Sequence, residues 1–169
     1  MAKPHYQLYI NGEWCEGSTN QVLDSYNPAT NEAWATFACA SSADVERAVD
    51  GAKTALNNPE WAKMTATQRG KLLYRLADLI EQNAETLGEI ETTDSGKLAH
   101  ETVAQTRYVS DYYRYFAGLA DKVEGATLPI DKSDMHVFTT REPIGVVAAV
   151  VPWNAQMGSR VVKTCISDL

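Results

Sequence analysis

Several of the residues from which self-contained catalytic sites are built are scarce in this chain. Its three cysteines, Cys15, Cys39 and Cys165, form no Cys-x-x-Cys pair and leave an odd count. That pattern suits reduced thiols in a cytoplasmic compartment, although one bridge stays open. The three histidines, His5, His100 and His136, stand too far apart to make a zinc site with helical ligand spacing. Gly-x-Gly-x-x-Gly, Gly-x-x-x-x-Gly-Lys-Ser/Thr and Gly-x-Ser-x-Gly are all missing. The longest apolar run, residues 144–151, is too short to span a bilayer, and the opening residues lack the apolar centre of a signal peptide. Basic residues are outnumbered, 15 Lys and Arg against 22 Asp and Glu, for a formal charge of −7. With no basic stripe to offset that charge, nucleic acid is not an expected partner, and neither is a membrane.

What is present belongs to a soluble globular protein. The 169 residues, 44% hydrophobic and 22% charged, are enough for one domain with a real core. Gln7 to Ile10 alternates, Asn11-Gly12 supplies the two residues of a tight hairpin turn, and Glu13-Trp14-Cys15 returns. A second turn covers residues 26–31, where Asn31 can adopt the left-handed conformation. Residues 33–40 then alternate as a strand. Cys15 and Cys39 read as small apolar strand residues.

Four helical stretches follow. Ser41-x-x-Asp44 caps the first, with Val45, Ala48, Val49, Ala52 and Leu56 on one face. Thr65-x-x-Gln68 caps the second, whose apolar stripe is Leu72, Leu73, Leu76, Leu79 and Ile80. Ala84, Leu87 and Ile90 mark a third, ended by Ser95-Gly96. The fourth runs over about 98–123, with Val109, Tyr113, Phe116, Ala120 and Val123 on one side and Gly125 as its natural end. The aromatic cluster Tyr108, Tyr112, Tyr113, Tyr115 and Phe116 suits either ligand stacking or packing, and tyrosines at this spacing are more often core and rim. Residues 126–134 read as a loop and 135–140 as a short strand.

The stretch 141–154 is the most distinctive. After Arg141-Glu142-Pro143 it becomes a run of small and β-branched apolar residues, then ends at Pro152-Trp153-Asn154. An unalternating run over 145–151 suits a strand covered on both faces of a parallel sheet, with ligands gathering beyond its carboxyl end. An amide there can donate to an oxyanion, a contribution of about 3 kcal/mol to a transition state. An asparagine bonded to its own turn backbone is the plainer alternative.

Five segments in register resemble the N-terminal portion of the NAD(P)-dependent aldehyde dehydrogenase family. They are Leu8-Tyr9-Ile10-Asn11-Gly12-Glu13-Trp14; Tyr26-Asn27-Pro28-Ala29-Thr30 with Glu32; Arg69-Gly70-Lys71-Leu72-Leu73; Glu91-Thr92 with Asp94-Ser95-Gly96-Lys97; and Arg141 to Val146 ending in Pro152-Trp153-Asn154. The resemblance implies an α/β fold: part of a doubly wound cofactor-binding domain, with N-terminal strands, four helices and a projecting oligomerisation arm at about 128–143. Residues 1–157 would form this domain portion, and 158–169 a tail that does not match. By the same resemblance, Asn154 is catalytic, its amide holding the oxyanion of a thiohemiacetal. Val151, Pro152, Trp153 and Asn154 would line the cofactor, NAD or NADP. No metal is implied. The implied reaction is oxidation of a small aldehyde to a carboxylic acid through a cysteine thiohemiacetal, in a homo-oligomer.

The departures also shape the expectation. Cys165 does not match the context of the family's nucleophile, nor Lys163 that of its ribose-binding lysine. The expected nucleophile and general base are not found. A truncated chain, inactive alone and unstable or self-associating, is therefore expected. The alternative to an enzyme is a non-catalytic truncated subunit that associates with a full-length aldehyde dehydrogenase. A thiol enzyme using Cys165 is a weaker third reading.

Overall fold

A computed structural model of the chain describes residues 3–155. Short strands come first: β1 (His5–Tyr6), β2 (Leu8–Ile10), β3 (Glu13–Cys15), β4 (Val22–Asn27) and β5 (Glu32–Ala38). β2 and β3 form the expected antiparallel hairpin, with Tyr9 opposite Trp14. Asn11 and Gly12 both take positive φ, 55° and 83°, the twist that lets a two-residue turn match its strands. β4 and β5 make a second antiparallel pair, and Asn31 at their turn is left-handed, φ 57°, as expected. β1 pairs parallel with the other edge of β5, giving the order β1-β5-β4.

Five helices follow among the described residues: α1 (Ser42–Leu56), α2 (Pro59–Ala62), α3 (Ala66–Gln82), α4 (Ala84–Ser95) and α5 (Ala99–Leu119). Both predicted capping boxes are present. Ser41 accepts from the Asp44 amide and Asp44 accepts from the Ser41 amide, and Thr65 and Gln68 do the same at α3. The single-turn α2 lies outside the four helical stretches expected from the sequence. Asn58 caps it and Pro59 stands at its first position, where the missing N–H costs nothing.

The core lies where α5 packs against α3 and α4. Leu73, Ala77 and Ile80 of α3 meet Val109, Tyr113 and Ala117 of α5, with Leu87 and Phe116 at the edge. Burial of the larger members stabilises the fold by about 1.5–3 kcal/mol each. The expected α3 stripe is therefore only half used: Leu73 and Ile80 are buried, whereas Leu72, Leu76 and Leu79 remain exposed. On α4 the buried face is Ala84, Gly88 and Glu91 rather than Ile90. Gly88 permits that choice, because a Cβ there would lie 2.6–2.8 Å from Val103, including its backbone. α5 ends earlier than expected, and Val123 lies exposed beyond it. Its inner face is largely hydroxylic: Thr102, Thr106 and Ser110 are buried and donate to carbonyls within their own helix. The predicted apolar face of α1 meets little, since Val45 and Ala52 are exposed and Asp44 is that helix's only buried residue.

Two further strands close the described chain. β6 (Thr127–Leu128), in a stretch expected to be loop, pairs antiparallel with β7 (Val137–Phe138). The strand expected over 145–151 is not formed: no ladder includes these residues among the described strands. Ile144 and Val150 are 89% and 80% exposed. A strand requires hydrogen-bonded neighbours, and an apolar run alone does not supply them. For the same reason, no doubly wound parallel sheet is present among the described residues. The mixed α/β character and the four long helices are as expected.

Candidate functional site

The segment from Arg141 onward crosses the helical layer without regular structure until a 3-10 turn at Trp153–Ala155. Gly145 has φ 109°, a backbone state unsuited to side chains, and with Val146 and Val147 it lies beside residues of α1 and α2. There Val146 and Val147 face Leu56, Trp61 and Met64 across an open apolar groove of about 500 Å3. Neither Trp61 nor Met64 is marked by any sequence pattern as a site residue.

The four predicted site residues sit at the end of this segment. Val151 is half-buried, while Pro152, Trp153 and Asn154 are exposed, the indole 74% so. Pro152 fixes the chain direction before the turn, and the turn then carries Trp153 and Asn154 on adjacent positions. An exposed amide and indole placed together can donate to an anionic oxygen and cover a flat ring.

The described thiols lie elsewhere. Cys15 is on β3, with its Sγ 3.9 Å from Arg47 Nη2, and Cys39 follows β5. Cys165 and Lys163 lie outside the described residues. No group of three His, Cys, Asp or Glu side chains suited to a metal occurs among the described residues. Nor does any described helix have the length and apolarity to cross a membrane. The aromatic cluster divides: Tyr113 is in the core, whereas Tyr108, Tyr112 and Tyr115 are exposed, with Tyr108 and Tyr112 edge to face at 5.0 Å.

The Glu91–Lys97 motif performs structural work. Asp94 accepts from Trp34 Nε1 at 3.3 Å and from the Ser25 hydroxyl, tying the end of α4 to β4 and β5. Gly96, left-handed at φ 76°, ends α4, and Lys97 turns back to Glu91.

The family model described as "Aldehyde dehydrogenase family" matches residues 14–167. The chain belongs to the aldehyde dehydrogenase family. It corresponds to an N-terminal portion of these oxidoreductases, and the resemblance carried by the five segments holds. It is 53% identical over 158 residues to (Z)-2-((N-methylformamido)methylene)-5-hydroxybutyrolactone dehydrogenase of Acinetobacter baylyi, covering 94% of this chain and 32% of that one. It is 42% identical over 160 residues to human mitochondrial 10-formyltetrahydrofolate dehydrogenase, covering 91% of this chain and 17% of the relative. Among solved structures, betaine aldehyde dehydrogenase of Staphylococcus aureus, in complex with NAD+, superposes with a TM-score of 0.89 at 34% identity, over 96% of this chain and 32% of that one. A variant of aldehyde dehydrogenase from Bacillus cereus superposes with a TM-score of 0.92 at 34% identity, over 97% and 33%. The fold is thus that of aldehyde dehydrogenases, and the chain spans a third or less of the length of these relatives.

Proposed function

We propose that this chain contributes to the NAD(P)-dependent oxidation of an aldehyde to a carboxylic acid through a cysteine thiohemiacetal. The observation that carries the reading is the exposed pair Trp153 and Asn154 on one 3-10 turn, within a chain of this family. Asn154 donates its amide to the oxyanion that forms when a thiolate adds to the aldehyde carbonyl. Val151, Pro152 and Trp153 line the cofactor beside it. NAD or NADP, when bound, supplies the hydride acceptor. The accessible indole and amide fit such a group, and the NAD+ complex of the Staphylococcus aureus relative supports its choice.

The 169-residue chain by itself is proposed to be inactive, because the described cysteines are Cys15 on β3 and Cys39 just after β5, neither in the segment that carries Asn154. Aldehyde-dependent reduction of NAD or NADP is expected to be absent from the isolated chain, and its appearance would overturn that part. In a complete family enzyme carrying this segment, Asn154→Ala is expected to lower kcat by about a hundredfold to a thousandfold with little change in cofactor affinity. An unchanged rate under conditions where acylation or hydride transfer is limiting would remove Asn154 from the oxyanion role.

A second reading rests on the β6–β7 hairpin, whose Leu128, Ile130, Met135 and Phe138 side chains are exposed. In it the chain is a non-catalytic subunit that joins a full-length aldehyde dehydrogenase through the arm at 128–143. Failure to co-purify with such a homologue would exclude it.

A further inference from the structure

A separate cavity of about 360 Å3 lies between the start of α3, the residues after α5 and the residues after β7. Arg69 and Arg141 both line it, together with Thr139, Thr140, Asp121 and Gly125. The chain closes tightly here. A Cβ at Gly125 would lie 1.8 Å from the Thr139 carbonyl oxygen, and Thr139 N–H donates to the Ala126 carbonyl at 2.8 Å.

The charge around this cavity is unbalanced. Arg47, Arg107 and Arg114 each hold a carboxylate, but neither Arg69 nor Arg141 has an ion-pair partner among the described residues. Arg69 is half-buried, and the one hydrogen bond of its guanidinium among the described residues goes to a neutral acceptor, the Met64 carbonyl at 2.9 Å from Nη1. Asp121, the single carboxylate on the wall, already accepts from Lys122 and, at 3.5 Å, from Thr67. Two guanidiniums sharing one cavity repel unless an anion stands between them. Thr139 Oγ1 accepts from the Ala126 amide at 2.9 Å, which leaves its own proton available for an anion. Guanidiniums bind phosphate oxygens in a two-pronged geometry, so the wall matches that chemistry better than it matches a halide.

We propose that this cavity binds a phosphate group, free or as a small phosphomonoester, held by Arg69, Arg141 and the two threonine hydroxyls. The full 169-residue chain is titrated with inorganic phosphate and, separately, with glycerol phosphate, at an ionic strength fixed with chloride. Binding is read by calorimetry and by 31P line width. Saturable binding is expected, weakened about tenfold or more in R141Q, in line with loss of a charge-assisted hydrogen bond. R141K should retain an intermediate affinity, and R75Q, on an exposed arginine outside the cavity, the full affinity. Tighter binding of glycerol phosphate would assign the monoester; equal binding would assign the phosphate group alone. Because Arg69 also holds the Met64 carbonyl, R69Q is read only beside R141Q, which alters an exposed residue outside regular structure. No saturable binding, or an equal loss in R75Q and R141Q, would overturn the proposal.

Discussion

Lys97 Nζ donates to Glu91 Oε1 at 3.0 Å, reaching back across the left-handed Gly96, while Glu91 Oε2 is buried with no hydrogen-bond partner among the described residues. The glutamate side chain is 6% exposed and the lysine side chain 24%. One oxygen of this anion is thus neutralised and the other is not. Lys97→Met, which leaves the charge buried and alone, should therefore destabilise the chain more than Glu91→Gln. A loss of about 2–3 kcal/mol is expected for Lys97→Met, at or below the low end for breaking a buried pair because the lysine is partly hydrated. Urea unfolding of the two variants checks the order. A larger loss in Glu91→Gln would show that the pair contributes little.

Gly88→Ala tests the close approach of α4 to α5. The substitution would gain about 1 kcal/mol of helix propensity. The new methyl group, however, would meet backbone atoms of Val103 at 2.8 Å, which cannot rotate away. Overpacking of this kind costs about 1–3 kcal/mol, so the net expected change is destabilising. An unchanged or raised Tm would show that the two helices separate at little cost.

Acid should weaken the junction between the start of α1 and the loop that follows β3. Asp44 is buried and accepts from the backbone amides of Ser41 and Ser18, then from both hydroxyls, and these bonds hold its carboxyl well below the usual carboxylate range. A group whose folded pKa is depressed contributes stability that is fully present above its unfolded value, about 3.9, and is lost as pH falls toward the folded value. Stability should therefore decline as pH falls below about 4. Asp44→Asn should be less stable at neutral pH and show a flatter acid limb. Denaturant midpoints measured across pH 2–7 in both proteins decide the matter; parallel curves would exclude Asp44 as a contributor.

The exposed run around Ile144 and Val150 should drive self-association of the isolated chain. Sedimentation velocity is expected to show concentration-dependent species that diminish in the Ile144→Lys, Val147→Lys double variant. A monomer at all concentrations in the unsubstituted chain would refute this.

Features set within a few residues were legible in the sequence. The Ser41–Asp44 and Thr65–Gln68 caps, the Asn11–Gly12 turn and left-handed Asn31 all depend on one side chain and its neighbours. Features set by distant packing were not. Periodicity placed five apolar residues on α3 but could not say that Leu73 and Ile80 would face α5 while Leu72, Leu76 and Leu79 would not. On α5 periodicity placed Val109, Tyr113 and Ala120 on the buried side, but not the first part of that face, where Thr102, Thr106 and Ser110 carry no hydrophobic signal. The run over 145–151 has the composition of a buried strand but joins no described ladder, because composition reports a preference and does not supply a partner. Val151, Pro152, Trp153 and Asn154 are proposed as a site only through family resemblance, since nothing in their spacing alone distinguishes them from a turn.

The two-residue pairing of β1 with β5 has a kinetic meaning. His5 sits opposite Thr36, and its ring bonds the Thr36 hydroxyl across a sequence separation of 31. Closing so long a loop for two residues of ladder carries an entropy penalty that the neighbouring hairpins, with turns of a few residues, do not bear. β4–β5 must already exist to offer β1 an edge. The amino-terminal strand should accordingly be the last element to dock during refolding and the first to exchange its amide protons, a slow clasp on an already assembled sheet.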